Sequence, residues 1–523
     1  MDGIIAAIGT DEEIRGWVAP RTEVIDLRGR LLVPGFQDAH VHPVAAGIEL
    51  LQCNLTQATD ADDCLRRIRE YADANPDEPW ILGGGWSMSF FQGGTPAASL
   101  LDDVVPDRPV MLVNRDHHGT WVNSLALELA GIDANTPDPV DGRIERDTAG
   151  NPSGTLHEGA SELLSGVRPV VNDALAYRGL LRGQQELHSF GITGWQDSLI
   201  GTGLGMPDAL GVYLRALEEG SLRSRVTGAL WWERHEGLEQ VGKLIARRDL
   251  VTQAARPEML SAGTVKMMID GVTENFTAAM TMPYLDVHGH CTDNAGLSFI
   301  SPEALNTFVS RLDEEGFQVH FHALGDRAVR ETLDALEAAR ASNGPSTNRH
   351  HIAHLQVVAA ADVPRFAELG VAANIQALWA CEDEQLYDLT FPFLAQELIE
   401  QHYPFGALAK AGARLVGGSD WPVSTPDPIQ AIHVSVNRVT PGGDNLPLGG
   451  DRQRLGLAEA ITAYTEGSAY INGREESTGS LRVGYRADLA VIDRDLFAVP
   501  AERIHEAKVV STWIDGICVY EGQ

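Results

Sequence analysis

The sequence predicts an α/β fold: a (β/α)8 TIM-type barrel with an insertion after its first strand and a small composite β-sandwich domain from both chain ends. Three observations support this prediction. An amphipathic helix, a glycine and a short apolar strand ending in polar residues recur along the chain. About 150 residues separate the first two candidate strands, too many for one connection. Both chain ends show the alternation and turns of a small sheet.

Eight candidate barrel strands can be placed on this pattern, and four of them follow a glycine that suits the C-terminus of a helix. Helical patterns, such as those of residues 301–315 and 326–341, separate the strands. Eight βα units predict a closed parallel barrel, with its chemistry at the C-terminal strand ends. The candidate strands are residues 31–36, 191–197, 225–230, 264–269, 316–320, 350–355, 370–376 and 412–420.

The remaining segments define the domain organisation. An insertion at about residues 55–185 contains strand-like runs of its own. Residues 3–32 and 480–520 alternate like the strands of a small sheet, with a hairpin around Asp515-Gly516. We therefore predict a composite β domain from residues 1–36 and 476–523, and a barrel from residues 37–475 that includes the insertion.

The composition narrows the class of partner. The 523 residues include 73 acidic and 40 basic side chains, a net charge of −33 that disfavours nucleic acids and anionic membranes. A run of about 18 apolar residues and a signal-like N-terminus are both missing from the sequence, which predicts a soluble, cytoplasmic protein without a membrane partner. The five cysteines are scattered, which is typical of reduced thiols.

Two histidines follow the first candidate strand. His40 and His42 are separated by one residue, so both imidazoles point the same way if the chain stays extended. Such a pair is weak evidence alone, because paired histidines also occur on surfaces and in cores. Their position just past an apolar strand favours a metal site.

Three further candidate strands end in a histidine or an aspartate. His320 and His322 end the fifth strand, His354 ends the sixth, and Asp420 follows the eighth. Each could singly be a packed histidine or an aspartate that caps a helix, but their recurrence at one end of successive strands favours a metal site. Nitrogen and oxygen ligands without sulfur suit Zn²⁺, with Mn²⁺, Fe²⁺ or Co²⁺ as alternatives.

Lys266 is one of four lysines and lies within the apolar fourth strand. A buried ammonium is costly unless it is paired. One interpretation is an ion pair with Asp270 or Glu274. The other is that the amine reacts with CO₂ to give a carbamate, an oxygen ligand able to bridge two metals, which an arginine could not form.

Together these residues resemble the amidohydrolase superfamily, and specifically its YtcJ-like branch, which includes N-substituted formamide deformylases. The resemblance extends over almost the whole chain. Members usually begin with a further strand or two, which suggests that this chain starts at a late methionine. The matching motifs are residues 33–42, 122–127, 154–158, 265–266, 270–271, 277–279, 283–284, 322–326, 354, 418–422 and 484–488.

The resemblance implies a ligand set for one or two divalent ions. His40 and His42 would bind the more buried metal, a carboxylated Lys266 would bridge, and Asp420 would bind metal and move protons. The ligands implied for the second metal are His322 and His354.

Roles in catalysis are implied for Asp420, His320 and His354. His322 is favoured over His320 as the metal ligand because the family's ligand on this strand is usually followed by alanine. His320 would then line the pocket.

The function that we predict is hydrolysis of an amide or related C–N bond of a small molecule by a metal-bound hydroxide. An N-substituted formamide is one candidate substrate. Lactone opening or deamination of a heterocycle on the same metal centre is the alternative, and a non-catalytic assembly protein on the same barrel is an alternative of another class. The resemblance leaves the oligomeric state open, with a homodimer as its expectation.

Aromatic residues and histidines outside the ligand set are candidates for the pocket walls, although each could equally pack in a core. They are Trp86, Phe90, Phe91, His117, His118, Trp121, Tyr284, Trp379 and Trp421.

Overall fold

The computed structural model of the protein describes residues 3–202, 206–254 and 256–522. Residues 1, 2 and 523 of the predicted small domain lie outside this part of the chain. The strands of the described residues form three sheets. In chain order they are β1 (Leu31–Pro34), β2 (Phe36–Val41), β3 (Cys53–Asn54), β4 (Ile81–Trp86), β5 (Val110–Asn114), β6 (Gly119–Val122), β7 (Gly142–Arg146), β8 (Pro152–Glu158), β9 (Ile192–Ile200), β10 (Arg225–Trp231), β11 (Leu260–Met268), β12 (Gln318–Ala323), β13 (His351–His354), β14 (Ala372–Ile375), β15 (Leu415–Gly417), β16 (Leu489–Ile492), β17 (Val509–Ile514) and β18 (Ile517–Glu521).

Eight parallel strands form the barrel, which confirms the predicted fold class. They are ordered β2, β9, β10, β11, β12, β13, β14 and β15. The first and last of them meet just beyond β15, where the Asp420 N–H donates to the His40 carbonyl (2.7 Å) and the His42 N–H donates to the Trp421 carbonyl (2.9 Å). Every side chain of β2, β9 and β12 is buried, as expected for parallel strands covered on both faces.

Helices cover the outside of the barrel. In α9, Ser301 caps the N-terminus by accepting the Ala304 N–H, and buried Leu305, Val309 and Leu312 follow at helical spacing. None of the helices in the described ranges has the length and apolarity needed to cross a membrane. The helices are α1 (Asp11–Ile14), α2 (Pro43–Glu49), α3 (Ala61–Ala74), α4 (Ala98–Val104), α5 (Ser124–Ala130), α6 (Asp173–Ser189), α7 (Leu210–Glu218), α8 (Val241–Gln253), α9 (Pro302–Glu314), α10 (Asp326–Asn343), α11 (Val363–Leu369), α12 (Gln396–Ile399), α13 (Phe405–Lys410), α14 (Pro428–Asn437), α15 (Leu457–Thr462) and α16 (Ser468–Ile471).

The segment between β2 and β9 contains a separate six-stranded sheet, ordered β3-β4-β5-β6-β8-β7. Its first three strands are parallel and the others antiparallel. The rings of Trp86, Phe91 and Trp121 pack edge to face in a core on this sheet. This sheet lines the larger of the two cavities described below.

The two chain ends meet in a four-stranded antiparallel sheet, ordered β1-β16-β17-β18. Arg225 of the barrel fixes this sheet through Asp488 (2.8 Å) and Asp515 (2.6 Å). The strand-like interpretation of residues 3–30 is wrong for most of that segment, where Ile4 forms one bridge and residues 11–14 form a helix. Thr10 and Glu13 close a capping box there, which favours a helical turn over a strand.

Candidate metal centre

Polar residues from three barrel strands lie together at one rim of the barrel. His40 is in β2, His42 follows it, His354 ends β13 and Asp420 follows β15. Asp420 Oδ1 lies 3.1 Å from Nε2 of both His40 and His42. Asp420 Oδ2 lies 3.8 Å from His354 Nδ1. We call these four residues the His–Asp cluster.

The atoms of this cluster fit a divalent cation. His40, His354 and Asp420 each bring one ligand atom to within 4.8 Å of the others. Among the described residues, both ring nitrogens of His354 and Nδ1 of His322 are buried without a hydrogen-bond partner. Leaving such atoms unpaired is costly. A cation held by nitrogen and oxygen donors would satisfy one nitrogen of the His354 ring.

The backbone is strained at two residues of the cluster. His354 (φ 78°) and Asp420 (φ 56°) occupy the left-handed region, which side chains other than glycine rarely adopt. Such strain is concentrated at functional sites, where surrounding contacts hold it in place. The approach to the cluster is also close, since a Cβ on Gly418 would lie 2.7 Å from His40 Cβ.

The charges of the cluster suit a cation. Burial alone would raise the pKa of Asp420, but the imidazoles of His40, His42 and His354 hold it well below its usual value. Burial, aided by Lys266, lowers the pKa of His40 to about 3. Burial also holds the pKa of His354 well below its usual range. An anionic carboxylate beside neutral imidazoles is the state in which these groups bind metal.

Lys266 is buried beneath the cluster, with its Nζ 3.5 Å from His40 Nε2. Burial lowers the pKa of this amine to about 7. The two carboxylates considered as its ion-pair partners are engaged elsewhere. Asp270 accepts hydrogen bonds from three backbone amides, and Glu274 accepts them from two threonine hydroxyls. The ion-pair interpretation is therefore not supported.

The two histidines of β12 lie at different depths. The ring centroid of His322 lies 4.5 Å from that of His354, and its Nδ1 lies 3.4 Å from Asp270 Oδ1. His320 is fully buried behind His40, with its Nε2 2.9 Å from His40 Nδ1. This geometry gives His322 the rim position. It does not support a direct catalytic or pocket-lining role for His320.

One cavity is lined by residues of the His–Asp cluster, and a second cavity is joined to the cluster by a small pocket. The smaller cavity, about 280 Å³, is lined by His354, Asp420 and Trp379, whose ring stacks on His354 with centroids 5.5 Å apart. The larger cavity, about 480 Å³, lies between the insertion and the barrel and is lined by residues such as Glu49 and Trp231. A pocket of about 50 Å³ at the cluster shares lining residues with both. A substrate can thus extend from the cluster in two directions.

Three of the predicted wall residues line these cavities: His117, His118 and Trp379. The prediction is wrong for others, because the sequence marks an aromatic residue without showing which sheet face it takes. Trp231 and Glu158 also line the larger cavity and were not predicted as wall residues, although Trp231 could have been found from its place at the end of a barrel strand. The residues that pack in cores instead are Trp86, Phe90, Phe91, Trp121, Tyr284 and Trp421.

The insertion places two consecutive histidines beside the cluster, each backed by a glutamate. His118 Nδ1 lies 2.8 Å from Glu158 Oε2, and His117 Nε2 lies 2.9 Å from Glu49 Oε1. Burial alone would lower the pKa of His118, but Glu158 raises it to about 9. His118 therefore presents a cationic imidazole to the pocket at neutral pH.

A parallel barrel with imidazoles and a carboxylate gathered at its strand ends defines a metal-dependent hydrolase. The chain belongs to the Amidohydrolase family, whose profile matches residues 23–520.

Relatives confirm the YtcJ-like branch. The putative amidohydrolase YtcJ of Bacillus subtilis is 30% identical over 99% of this chain and 95% of its own length. The N-substituted formamide deformylase of Arthrobacter pascens is 30% identical over 99% of this chain and 94% of its own. An uncharacterized metal-dependent hydrolase from Pyrococcus horikoshii has the same fold, with a TM-score of 0.71 and 23% identity over 95% of this chain and 93% of that one.

Proposed function

We propose that the protein hydrolyses an amide or a related C–N bond with the help of a divalent metal ion, for which Zn²⁺ is our choice. The observation that carries this proposal is the His–Asp cluster, whose buried donors are nitrogen and oxygen and include imidazole nitrogens without a partner. His40, His42, His354 and Asp420 would hold the ion. Family membership supports a hydrolase of this class.

When bound, the ion would polarise the substrate carbonyl and make a water molecule more acidic. Asp420 would take a proton from the attacking water as its oxygen bonds to the carbonyl carbon. It would return that proton to the nitrogen as the C–N bond breaks, which gives a carboxylic acid and an amine. His118 faces the same pocket and is suited to donate a hydrogen bond to the carbonyl oxygen as it gains charge.

We also propose that Lys266 carries a carbamate that completes the ligand set, with His322 as a further ligand. The amine adds to CO₂, the new N–C bond forms, and one proton leaves to solvent. Its burial and its position 3.5 Å from His40 Nε2 support this role. Lys266→Arg should lose metal and activity, and short carboxylic acids should partly restore Lys266→Ala. Full activity in Lys266→Arg would exclude the carbamate, and Lys243→Arg, at an exposed lysine, is the control.

The two cavities support a substrate with a substituent on each side of the scissile bond. A formamide has only hydrogen on its carbonyl carbon, so it would leave one cavity unused. An amide with sizeable acyl and amine parts would fill both.

Metal analysis of the purified protein tests the proposal first. We expect one or two equivalents of a divalent ion, loss of hydrolysis on chelation, and loss of metal in His354→Gln. His402→Gln, at a buried histidine outside the cluster, should keep its metal. Purified protein that binds no divalent ion would favour a non-catalytic protein on this barrel. A substrate panel of amides, formamides, lactones and amino-heterocycles then identifies the bond, and turnover confined to lactones or heterocycles would replace our proposal.

A further inference from the structure

The barrel interior behind the His–Asp cluster contains hydrogen-bonded side chains to which the proposed reaction gives no role. His320 Nε2 lies 2.9 Å from His40 Nδ1, and His320 Nδ1 lies 2.7 Å from Gln196 Oε1. His351 Nε2 lies 3.1 Å from the same Gln196 oxygen. Each of these three residues, like His40, is at most 1% exposed. We call Gln196, His320 and His351 the relay.

The orientation of the Gln196 amide is set by the backbone through Gln318. Gln318 Nε2 donates to the carbonyls of Arg349 (2.9 Å) and Ile471 (3.0 Å), and a carbonyl can only accept. Gln318 Oε1 therefore faces the other way and accepts from Gln196 Nε2 at 2.9 Å. Gln196 must then present its oxygen, Oε1, to the two imidazoles.

A second chain of hydrogen bonds leads to the same assignment from the opposite side. Gln376 Oε1 accepts the backbone N–H of His354 (2.7 Å), so Gln376 Nε2 donates to Asn374 Oδ1 (3.0 Å). Asn374 Nδ2 lies 3.1 Å from His351 Nδ1, which must accept. His351 consequently carries its hydrogen on Nε2 and donates to the amide oxygen of the relay.

These assignments determine the tautomers of the two remaining histidines. Because Gln196 Oε1 can only accept, His320 Nδ1 carries the hydrogen. Both rings are buried, and a neutral imidazole carries one hydrogen. His320 Nε2 is therefore an acceptor, and His40 must donate to it from Nδ1. The lone pair of His40 is left on Nε2, the atom that faces Asp420.

The carboxylate of Asp420 opposes this tautomer, because its Oδ1 lies 3.1 Å from His40 Nε2 and would accept a hydrogen there. Two observations reduce that conflict. The 3.1 Å contact is not aligned as a hydrogen bond, because Asp420 Oδ1 has no hydrogen-bond partner among the described residues. Lys266 Nζ lies 3.5 Å from His40 Nε2 and has hydrogens to donate to its lone pair. The opposite tautomer would place two lone pairs against each other, 2.9 Å apart, between His40 and His320.

We propose that Gln196 and His320 are positioning residues that fix the tautomer of His40 before metal binds, so that Nε2 presents a lone pair to the incoming ion. This inference rests on the metal site of the proposed function. Partners of this kind orient metal-ligating imidazoles and strengthen binding. Here the partner of the ligand is a second histidine, and its own tautomer is imposed by amides anchored to the barrel backbone.

Neutron diffraction from metal-free, deuterium-exchanged crystals tests the assignment directly, because no ion then imposes the tautomer. We expect deuterium on Nδ1 of His40, on Nδ1 of His320 and on Nε2 of His351. Deuterium on His40 Nε2 would overturn the inference. This result does not depend on activity, so a protein with the expected tautomers but no metal affinity would reject the proposed function and leave the relay intact.

The contribution to binding is measured with Gln196→Leu, which removes the acceptor and keeps a side chain of similar size. Zn²⁺ affinity, from competition with a chelator, should fall by about 10- to 100-fold. Thr227→Val is the control, since it removes another buried barrel hydrogen bond outside the relay, and its affinity should stay within about twofold of wild type. A folded Gln196→Leu protein with wild-type affinity would overturn the inference. If Gln196→Leu does not fold, the neutron result decides.

Discussion

In the proposed reaction Asp420 has two roles, because it would bind the metal as an anion and would also exchange protons with the reactants. Three imidazoles surround its carboxylate and hold its pKa well below the usual value, although burial alone would raise it. A cation in the cluster would also interact with the negative charge of this carboxylate. The acid–base role of Asp420 can therefore be separated from its role as a ligand by a substitution that removes only the charge.

Asp420→Asn should retain most of its metal, because three histidines still supply nitrogen ligands, while turnover should fall by about 10² to 10⁴-fold. Metal content by mass spectrometry and steady-state rates on the same preparation check this. Asp313→Asn is a matched control, since Asp313 is also buried against an imidazole, that of His350, and both residues line a different pocket from the cluster. Unchanged turnover in Asp420→Asn would remove Asp420 from the mechanism.

The pair of His118 and Glu158 predicts a pH dependence of stability. In the folded protein Glu158 raises the pKa of His118 to about 9, against about 6.5 when unfolded. The stabilisation from His118 is therefore complete below about pH 6.5 and is lost as the pH rises through 9. Chemical denaturation measures the free energy of unfolding of the wild type and of His118→Gln. The wild type should be more stable by on the order of 1–3 kcal/mol at low pH, and this difference should shrink between about pH 6.5 and 9. Glu158→Gln should abolish this dependence of stability on pH. A difference between wild type and His118→Gln that stays constant from about pH 6 to 9.5 would contradict the raised pKa of His118.

Among the structural elements, the end of β15 is built for close contact. A Cβ on Gly418 would lie 2.7 Å from His40 Cβ and 2.8 Å from both Asn374 Oδ1 and Gln376 Nε2. Gly418→Ala should therefore displace the segment that carries Asp420 and weaken Zn²⁺ binding by about 10-fold or more, by analogy with the loss of other groups that orient ligands. Gly263→Ala, in β11 where an added Cβ would meet no heavy atom within 4 Å, should bind Zn²⁺ as the wild type does. Chelator competition on both variants measures the difference, and equal affinities would show that the close contact is not required.

The barrel strands show what periodicity in the sequence can predict. Polar residues at the ends of apolar runs indicated the strands and the rim, because the C-terminal ends of parallel strands meet in a barrel. The end of the fifth barrel strand was less readable. The predicted strand ended at His320, but β12 continues to Ala323, which puts His320 behind His40 and His322 nearer the rim. The roles of Gln196 and Glu158 were also hidden, since each depends on partners distant in the sequence.

The insertion lines both cavities, the larger through its sheet and the smaller through Arg115, Asp116 and His118. Its histidines at 117 and 118 lie between them and line the pocket at the cluster. Both are held by glutamates, one from α2 of the barrel and one from β8 of the insertion. The insertion therefore shapes the substrate site, while the barrel supplies the His–Asp cluster.

This division predicts that the two cavities select opposite ends of the substrate. Val113→Phe should narrow the larger cavity, and Leu378→Trp the smaller. For amides with bulky groups on both sides of the bond, each variant should lower kcat/KM for a different end group, by about 10-fold or more, since one methylene in such a pocket is worth about 1–3 kcal/mol. The measurement is a matrix of acyl and amine substituents against wild type and both variants, with metal content as the control for an intact centre. If both variants lower kcat/KM for the same end group, the cavities do not hold separate parts of the substrate. If both variants lower kcat/KM for formamides, the carbonyl side of the substrate does not extend into either cavity.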